Sequence, residues 1–258
     1  MRAETLTVTA EGPRGRIVLN RPNRLNALST ACLEELAAAA AWFDARPEVK
    51  VVTVTGAGRA FTAGADLEAF GSSAGGDAPT ARDAADAGRR MAEAIESMGA
   101  VTVAGIHGHC VGGGLVLAAA CDLRVATRGV RFSIPEVDLG IPLAWGGIPR
   151  LVREIGPAAT RDLVLTCRPF GADEALALGF VNRIVDDDGL EEALDELAGV
   201  LAAKSTFTLR ATLEAVDAAA EAMVSTRFAW SDADALMTAL HDPESREVAR
   251  RYLAARGR

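Results

Sequence analysis

Several things are scarce in this chain, and each scarcity removes a class of function. Positive charge is one: 258 residues carry a net charge of −8 and an isoelectric point near 5.0. That balance argues against nucleic acid or an anionic membrane surface as the main partner. A local arginine can still hold an anionic ligand. Lysine is nearly missing, with Lys50 and Lys204 the only two. Cysteine is sparse and unpatterned. Cys32, Cys110, Cys121 and Cys167 form no C-x-x-C spacing, so neither a zinc site nor a disulfide framework is implied, and they read as reduced small hydrophobes. Long apolar runs are missing too. Stretches such as Leu115–Cys121 are too short to span a bilayer, and Met1-Arg-Ala-Glu-Thr-Leu lacks the apolar region of a signal peptide. The expectation is a soluble, cytoplasmic protein, without membrane or nucleic acid as partner.

About half of the chain is hydrophobic, enough for one large core. Arg16–Asn20 and Val51–Thr55 are β-branched runs of strand length. Between them, Ser29 is placed to cap a helix whose Leu33, Leu36, Ala40 and Phe43 share one face. A helix with Met91, Ile95 and Met98 follows, and then the strand Val101–Ile106. Leu123–Ala126 and Val181–Val185 read as further strands. This alternation predicts an α/β fold with parallel pairing through helical crossovers. From about Ser205 the strand signals stop. Leu209, Leu213 and Val216 make one helical face, and Asp242-Pro243 starts a last helix. The predicted division is 1–204 as the α/β core and 205–258 as a helical region that packs on a neighbouring subunit. Gly71–Pro79 has no core residues and reads either as a linker or as a mobile wall of a pocket.

Two glycine-containing stretches carry the chemistry: Arg59-Ala-Phe-Thr-Ala-Gly-Ala-Asp66 and His107-Gly-His-Cys-Val-Gly-Gly-Gly-Leu-Val-Leu-Ala-Ala-Ala-Cys-Asp122. Small residues at such turns let the backbone approach a ligand with its N–H groups pointing outward. Two such turns face to face would hold an oxyanion. Gly112-Gly-Gly114 fits neither G-x-G-x-x-G nor the Walker pattern, and tight strand-to-helix packing is its alternative reading. Asp66 can equally cap a short helix. Glu136, in Phe132-Ser-Ile-Pro-Glu-Val-Asp-Leu-Gly-Ile-Pro142, has mostly apolar neighbours, which raise a carboxyl pKa toward the range of a general base. Asp138 shares that face if the segment is extended and need not if it turns. His107 and His109 have no partners at metal-ligand spacing and read as packing or hydrogen-bonded residues. Ser133 lacks the context of a hydrolase nucleophile.

Together these stretches resemble the crotonase family, the enoyl-CoA hydratase/isomerase superfamily. The resemblance begins at Leu19-Asn-Arg-Pro-Asn-Arg-Leu-Asn-Ala-Leu28. It runs through Arg59–Asp66, Gly105–Asp122 and Pro135–Gly147 to Gly171–Asn182. It implies a spiral of ββα units with a helical C-terminal trimerisation region, and assembly as a homotrimer or dimer of trimers. It implies an acyl-CoA thioester substrate whose carbonyl oxygen binds the N–H groups of Ala65 and Gly113, with Gly112 beside them. Coenzyme A, part of the substrate and not a separate cofactor, would lie along Arg24, Leu25 and Ala27 and along Ala63, Asp66 and Leu67. Arg24 and Arg59 are candidates for its phosphates or ribose. No metal is implied.

One departure from the family pattern bears on the reaction. Hydratases of this family use two glutamates; Glu136 matches the second, and Val116 stands where the first would be. A single carboxylate can move a double bond by taking a proton at C2 and returning it at C4, so the expected activity is Δ3 to Δ2 enoyl-CoA isomerisation. The alternatives are hydration of 2-enoyl-CoA in fatty-acid oxidation and acyl-CoA binding without catalysis. Ala144 occupies the position where dienoyl-CoA isomerases and some dehalogenases carry an aspartate. Near the end of the chain, Ala239-Leu-His-Asp-Pro-Glu-Ser245 replaces the usual acidic-glycine segment.

Overall fold

The computed structural model describes residues 1–66 and 78–255. Leu67 and most of the Gly71–Pro79 loop lie outside the described residues. The strands are β1 (Leu6–Glu11), β2 (Arg14–Leu19), β3 (Val51–Gly56), β4 (Val101–Ile106), β5 (His109–Val111), β6 (Leu123–Thr127), β7 (Arg131–Ser133), β8 (Phe170–Gly171) and β9 (Arg183–Val185). The helices are α1 (Thr30–Asp44), α2 (Ala78–Glu96), α3 (Gly113–Ala119), α4 (Gly147–Thr166), α5 (Ala172–Ala177), α6 (Leu190–Ala202), α7 (Thr206–Met223), α8 (Asp232–His241) and α9 (Pro243–Ala255). Among the described residues no helix is long and apolar enough to cross a membrane.

The main sheet has the order β1-β2-β3-β4-β6-β9. β1 pairs with β2 as an antiparallel hairpin, and every later pairing is parallel. β3 and β4 are buried along almost their whole length, as parallel strands covered on both faces must be. One face presents Val52, Val54 and Ala104 to α1 and α2. The other presents Val51, Val103 and Val125 to Leu190, Leu194 and Leu197 of α6. Ser29 caps α1 by accepting from the Cys32 N–H, as its position in the sequence predicts. Asp242 caps α9 in the same way through Ser245 N–H at 2.8 Å.

A second sheet, β5-β7-β8, shares no strand with the first. The segment after β3 joins the two regions. On one side, Phe61 and Thr62 N–H donate to the carbonyls of His107 and His109, and Val111 N–H donates back to Thr62. On the other, Ala63 N–H donates to Leu25, Leu28 N–H to Gly64, and Asp66 N–H to Leu28. Residues 59–66 are thereby held between the 25–28 loop and the strand leading to α3.

Asn26 anchors that loop. It is buried with φ +55, a left-handed conformation that asparagine tolerates better than most residues. Its side chain donates to Ala57 and Ala60 carbonyls at 2.9 and 2.8 Å and accepts from Arg21 N–H at 2.9 Å. Asn26→Ala strands three backbone groups, and a buried group left unpaired costs about 1–3 kcal/mol. The expected loss of stability is about 3 kcal/mol by urea unfolding, and a loss below about 1 kcal/mol would contradict this role for the loop.

Candidate active site

Two turns meet at the C-terminal side of the parallel strands. Gly64 has φ +85 and Gly112 φ +50, both in the left-handed region where a side chain is strained. A methyl group on Gly64 would lie 2.5 Å from the Val111 carbonyl oxygen and 3.6 Å from Gly113 N, so the backbones are in direct contact. Gly113 opens α3, where the helix dipole favours an anion. Among the described residues, neither Ala65 N–H nor Gly113 N–H has an acceptor, whereas Gly112 N–H is taken by the Ser133 carbonyl. The pair left over is the one that the family resemblance nominates.

Glu136 comes from the turn after β7. That turn is closed by Leu139 N–H on the Pro135 carbonyl and Ile141 N–H on the Glu136 carbonyl. The carboxylate lies against the glycine turn: a methyl on Gly112 would fall 2.2 Å from Glu136 Oε1. Its Oε2 is buried without a hydrogen-bond partner among the described residues. Burial pushes the carboxyl pKa from its ordinary 4.5 up to about 7, opposed only by a backbone hydrogen bond. Because the segment turns, Asp138 is exposed and does not share the site.

Ala65, Gly113, Val116 and Glu136 line a cavity of about 210 Å³. Leu139, Ile141, Pro142, Leu143, Ala144 and Trp145 also line it, together with Leu236, Leu240, Ala249 and Leu253 of α8 and α9. Among the described residues Glu136 is the only ionisable side chain in this lining. Val116 is fully buried beside Gly147, where a methyl would lie 2.8 Å from Val116 Cγ2.

The other predicted site residues divide. Leu25, Ala27, Ala63 and Asp66 fall on the loop contacts described above, half-buried; Arg24 and Arg59 are exposed. Asp66 forms an ion pair with Arg21 at 2.9 Å, and Arg21 also donates to the Ala27 carbonyl. Asp66 therefore ties two loops together. His107 Nε2 lies 3.0 Å from the Gly58 carbonyl, a packing role, and Asp122 is bonded to Thr102. Among the described residues no group of three or more His, Cys, Asp or Glu could hold a metal ion. Sequence reasoning missed Arg21, Trp145 and the leucines of α8 and α9. Each acts across a sequence separation that no local pattern encodes.

Trp145 occupies costly space. Its φ is +64, rare for a bulky residue. Its indole fits only because Gly88, inside α2, and Gly113 lack side chains: a methyl would lie 2.0 Å from Cδ2 or 2.2 Å from Cζ3 respectively. A glycine inside a helix costs about 1 kcal/mol relative to alanine.

The raised pKa of Glu136 has a consequence for stability. The native state binds this proton more tightly than the unfolded chain does. Stability therefore falls as pH rises from about 4.5 to about 7 and then levels off. At about 1.4 kcal/mol per pH unit, the full loss is roughly 3 kcal/mol. Glu136→Gln removes it, so the variant should be more stable than wild type by about that amount at pH 8 and nearly equal below pH 4.5. Urea titrations across pH test this, and a difference independent of pH would refute it.

Comparison with known proteins agrees with this geometry. The profile of the Enoyl-CoA hydratase/isomerase family matches residues 15–257. A Mycobacterium bovis protein named probable enoyl-CoA hydratase echA8 is 36% identical over 225 residues, covering 87% of this chain and 86% of that one. A Syntrophomonas wolfei protein named crotonyl-CoA hydratase is 34% identical over 211 residues, covering 81% and 80%. The crystal structure of an enoyl-CoA hydratase/isomerase from Xanthobacter autotrophicus Py2 superposes with a TM-score of 0.89 at 28% identity, covering 99% and 98%. With two glycine turns, a buried glutamate and a family match over most of its length, this chain belongs to the enoyl-CoA hydratase/isomerase (crotonase) family.

Proposed function

We propose that this enzyme shifts a double bond of an enoyl-CoA from Δ3 to Δ2 through a thioester enolate. The observation that carries the reading is the cavity lining: among the described residues it holds one carboxylate, Glu136, with apolar neighbours that include Val116. The thioester oxygen would accept from Ala65 and Gly113 N–H. Glu136 as carboxylate removes a C2 proton, and the C–H electron pair moves into a dienolate whose charge rests on that oxygen. The protonated Glu136 then returns the proton at C4, leaving the double bond between C2 and C3. A pKa near 7 suits both halves, since the group must accept and release a proton at neutral pH. No cofactor is needed beyond the coenzyme A of the substrate, with Arg24 and Arg59 as candidates for its phosphates. The aliphatic lining supplied by α8 and α9 suits a hydrocarbon acyl chain.

A second reading is hydration of a 2-enoyl-CoA, favoured by the names of the relatives. It needs a water held by polar partners, and among the described residues Glu136 is the one carboxylate in the lining that could hold and activate it. The two readings separate in the ratio of isomerisation to hydration, measured with 3-enoyl-CoA and 2-enoyl-CoA. Isomerisation should dominate in wild type. Glu136→Gln should lose about 10²–10⁴ in turnover while still binding acyl-CoA. Val116→Glu should raise hydration. Efficient hydration by wild type with no isomerisation would overturn the isomerase reading, and full turnover by Glu136→Gln would remove Glu136 from the mechanism.

We also propose a homotrimer or dimer of trimers, with 1–204 as the acyl-CoA-binding core and contacts drawn from 205–258. α7 has no buried residue, and Phe207 and Met223 are 78% and 77% exposed. An apolar face of that kind marks an interaction surface. Light scattering at micromolar concentration should give a mass of three or six chains. A monomer would contradict the assembly.

A further inference from the structure

We propose that Trp145 is a positioning residue for the thioester oxygen, setting the place of Gly113 N–H through its indole ring. The proposal rests on the acyl-CoA reading above and adds a residue to it. Gly112 and Gly113 have no side chains of their own to lock the turn, and Gly112 already sits at φ +50. What bears on Gly113 from outside is the benzo edge of Trp145, with Cζ3, Cε3 and Cη2 all within reach of a methyl placed there. On its other side the ring meets Gly88 of α2 through Cγ, Cδ2 and Cε2. The indole is thus a wedge between α2 and the first residue of α3.

The backbone that carries this wedge is tied down from three helices. Trp145 and the following Gly146 both have positive φ, +64 and +69. Their carbonyls each accept from Arg150 Nη1 at 3.2 Å. Arg150 is 1% exposed and pairs with Glu96 at the end of α2. Gly146 N–H donates to Asp232 of α8 at 2.7 Å. A left-handed tryptophan, a glycine inside a helix and a buried arginine are each unfavourable alone. Together they persist where surrounding structure over-determines a functional position.

The test reads the thioester carbonyl itself. Octanoyl-CoA labelled with ¹³C at that carbonyl is bound to the protein, and its C=O band is followed by infrared difference spectroscopy. In wild type the band should move to lower frequency as two N–H groups polarise it. Gly88→Ala pushes the ring from α2, and Trp145→Phe withdraws the benzo edge from Gly113. Both variants should melt cooperatively, bind the probe with an affinity within about threefold of wild type, and lose at least half of the band shift. Turnover should fall by about 10- to 100-fold, as expected for a misplacement of about 1 Å, with KM little changed. If either folded variant keeps the wild-type band, the positioning role is overturned while the acyl-CoA reading stands. A wild-type band that does not move overturns both.

Discussion

A single unpaired carboxylate kept out of water is the constraint around which this structure is arranged. Among the described residues Glu136 has no cation beside it, one buried oxygen without a partner, and apolar side chains around it. Burying a charge in that way is unfavourable, and the group responds by holding its proton up to about pH 7. A paired carboxylate would be a weaker base and a more stable fixture. Here the fold sacrifices stability at one residue and gains a group able to exchange protons at neutral pH. The glycine at 112 belongs to the same arrangement, since any side chain there would occupy the carboxylate's place.

The rest of the molecule can be read as support for that site. The parallel strands β3 and β4 deliver two chain segments side by side, and the 59–66 segment is bonded to loops on both flanks. Asn26 and the Arg21–Asp66 pair hold those loops. The C-terminal helices return to the core, where Arg82 of α2 pairs with Asp234 at 2.7 Å and Asp232 caps the Trp145–Gly146 turn. Leucines of α8 and α9 then join the lining of the cavity that holds Glu136. α7 is left with its apolar face outward, which separates the part of the tail that serves the pocket from the part available to a neighbouring subunit.

Much of this was legible in the sequence wherever the determinant is local. β3 and β4 are runs of β-branched residues, and Ser29 and Asp242 announce their helices by cap chemistry. The glycine turns and Pro135-Glu136 stand out because close backbone approach and an apolar carboxylate each leave a short signature. β1 carries no comparable signature, because its Thr-rich alternation LTVTAE acquires a partner only through the hairpin with β2. The three-residue strands β5 and β7 are too short for any period to emerge. Asp66 looked like a cap or ligand contact, and its real partner Arg21 lies 45 residues away. Trp145 gave no signal either, since what distinguishes it is the absence of side chains at Gly88 and Gly113, far apart in the chain.

The central claim is that Glu136 and the paired N–H groups generate a thioester enolate. Hydrogen exchange at C2 tests it most directly. A saturated acyl-CoA such as octanoyl-CoA, which can neither isomerise nor take up water, is incubated with the enzyme in deuterium oxide and followed by proton NMR. The account predicts loss of the C2 proton signal with wild type, rising in rate as pH passes through about 7, and no enzyme-dependent loss with Glu136→Gln. Exchange at equal rates in both proteins, or none with wild type that binds the thioester, would contradict it.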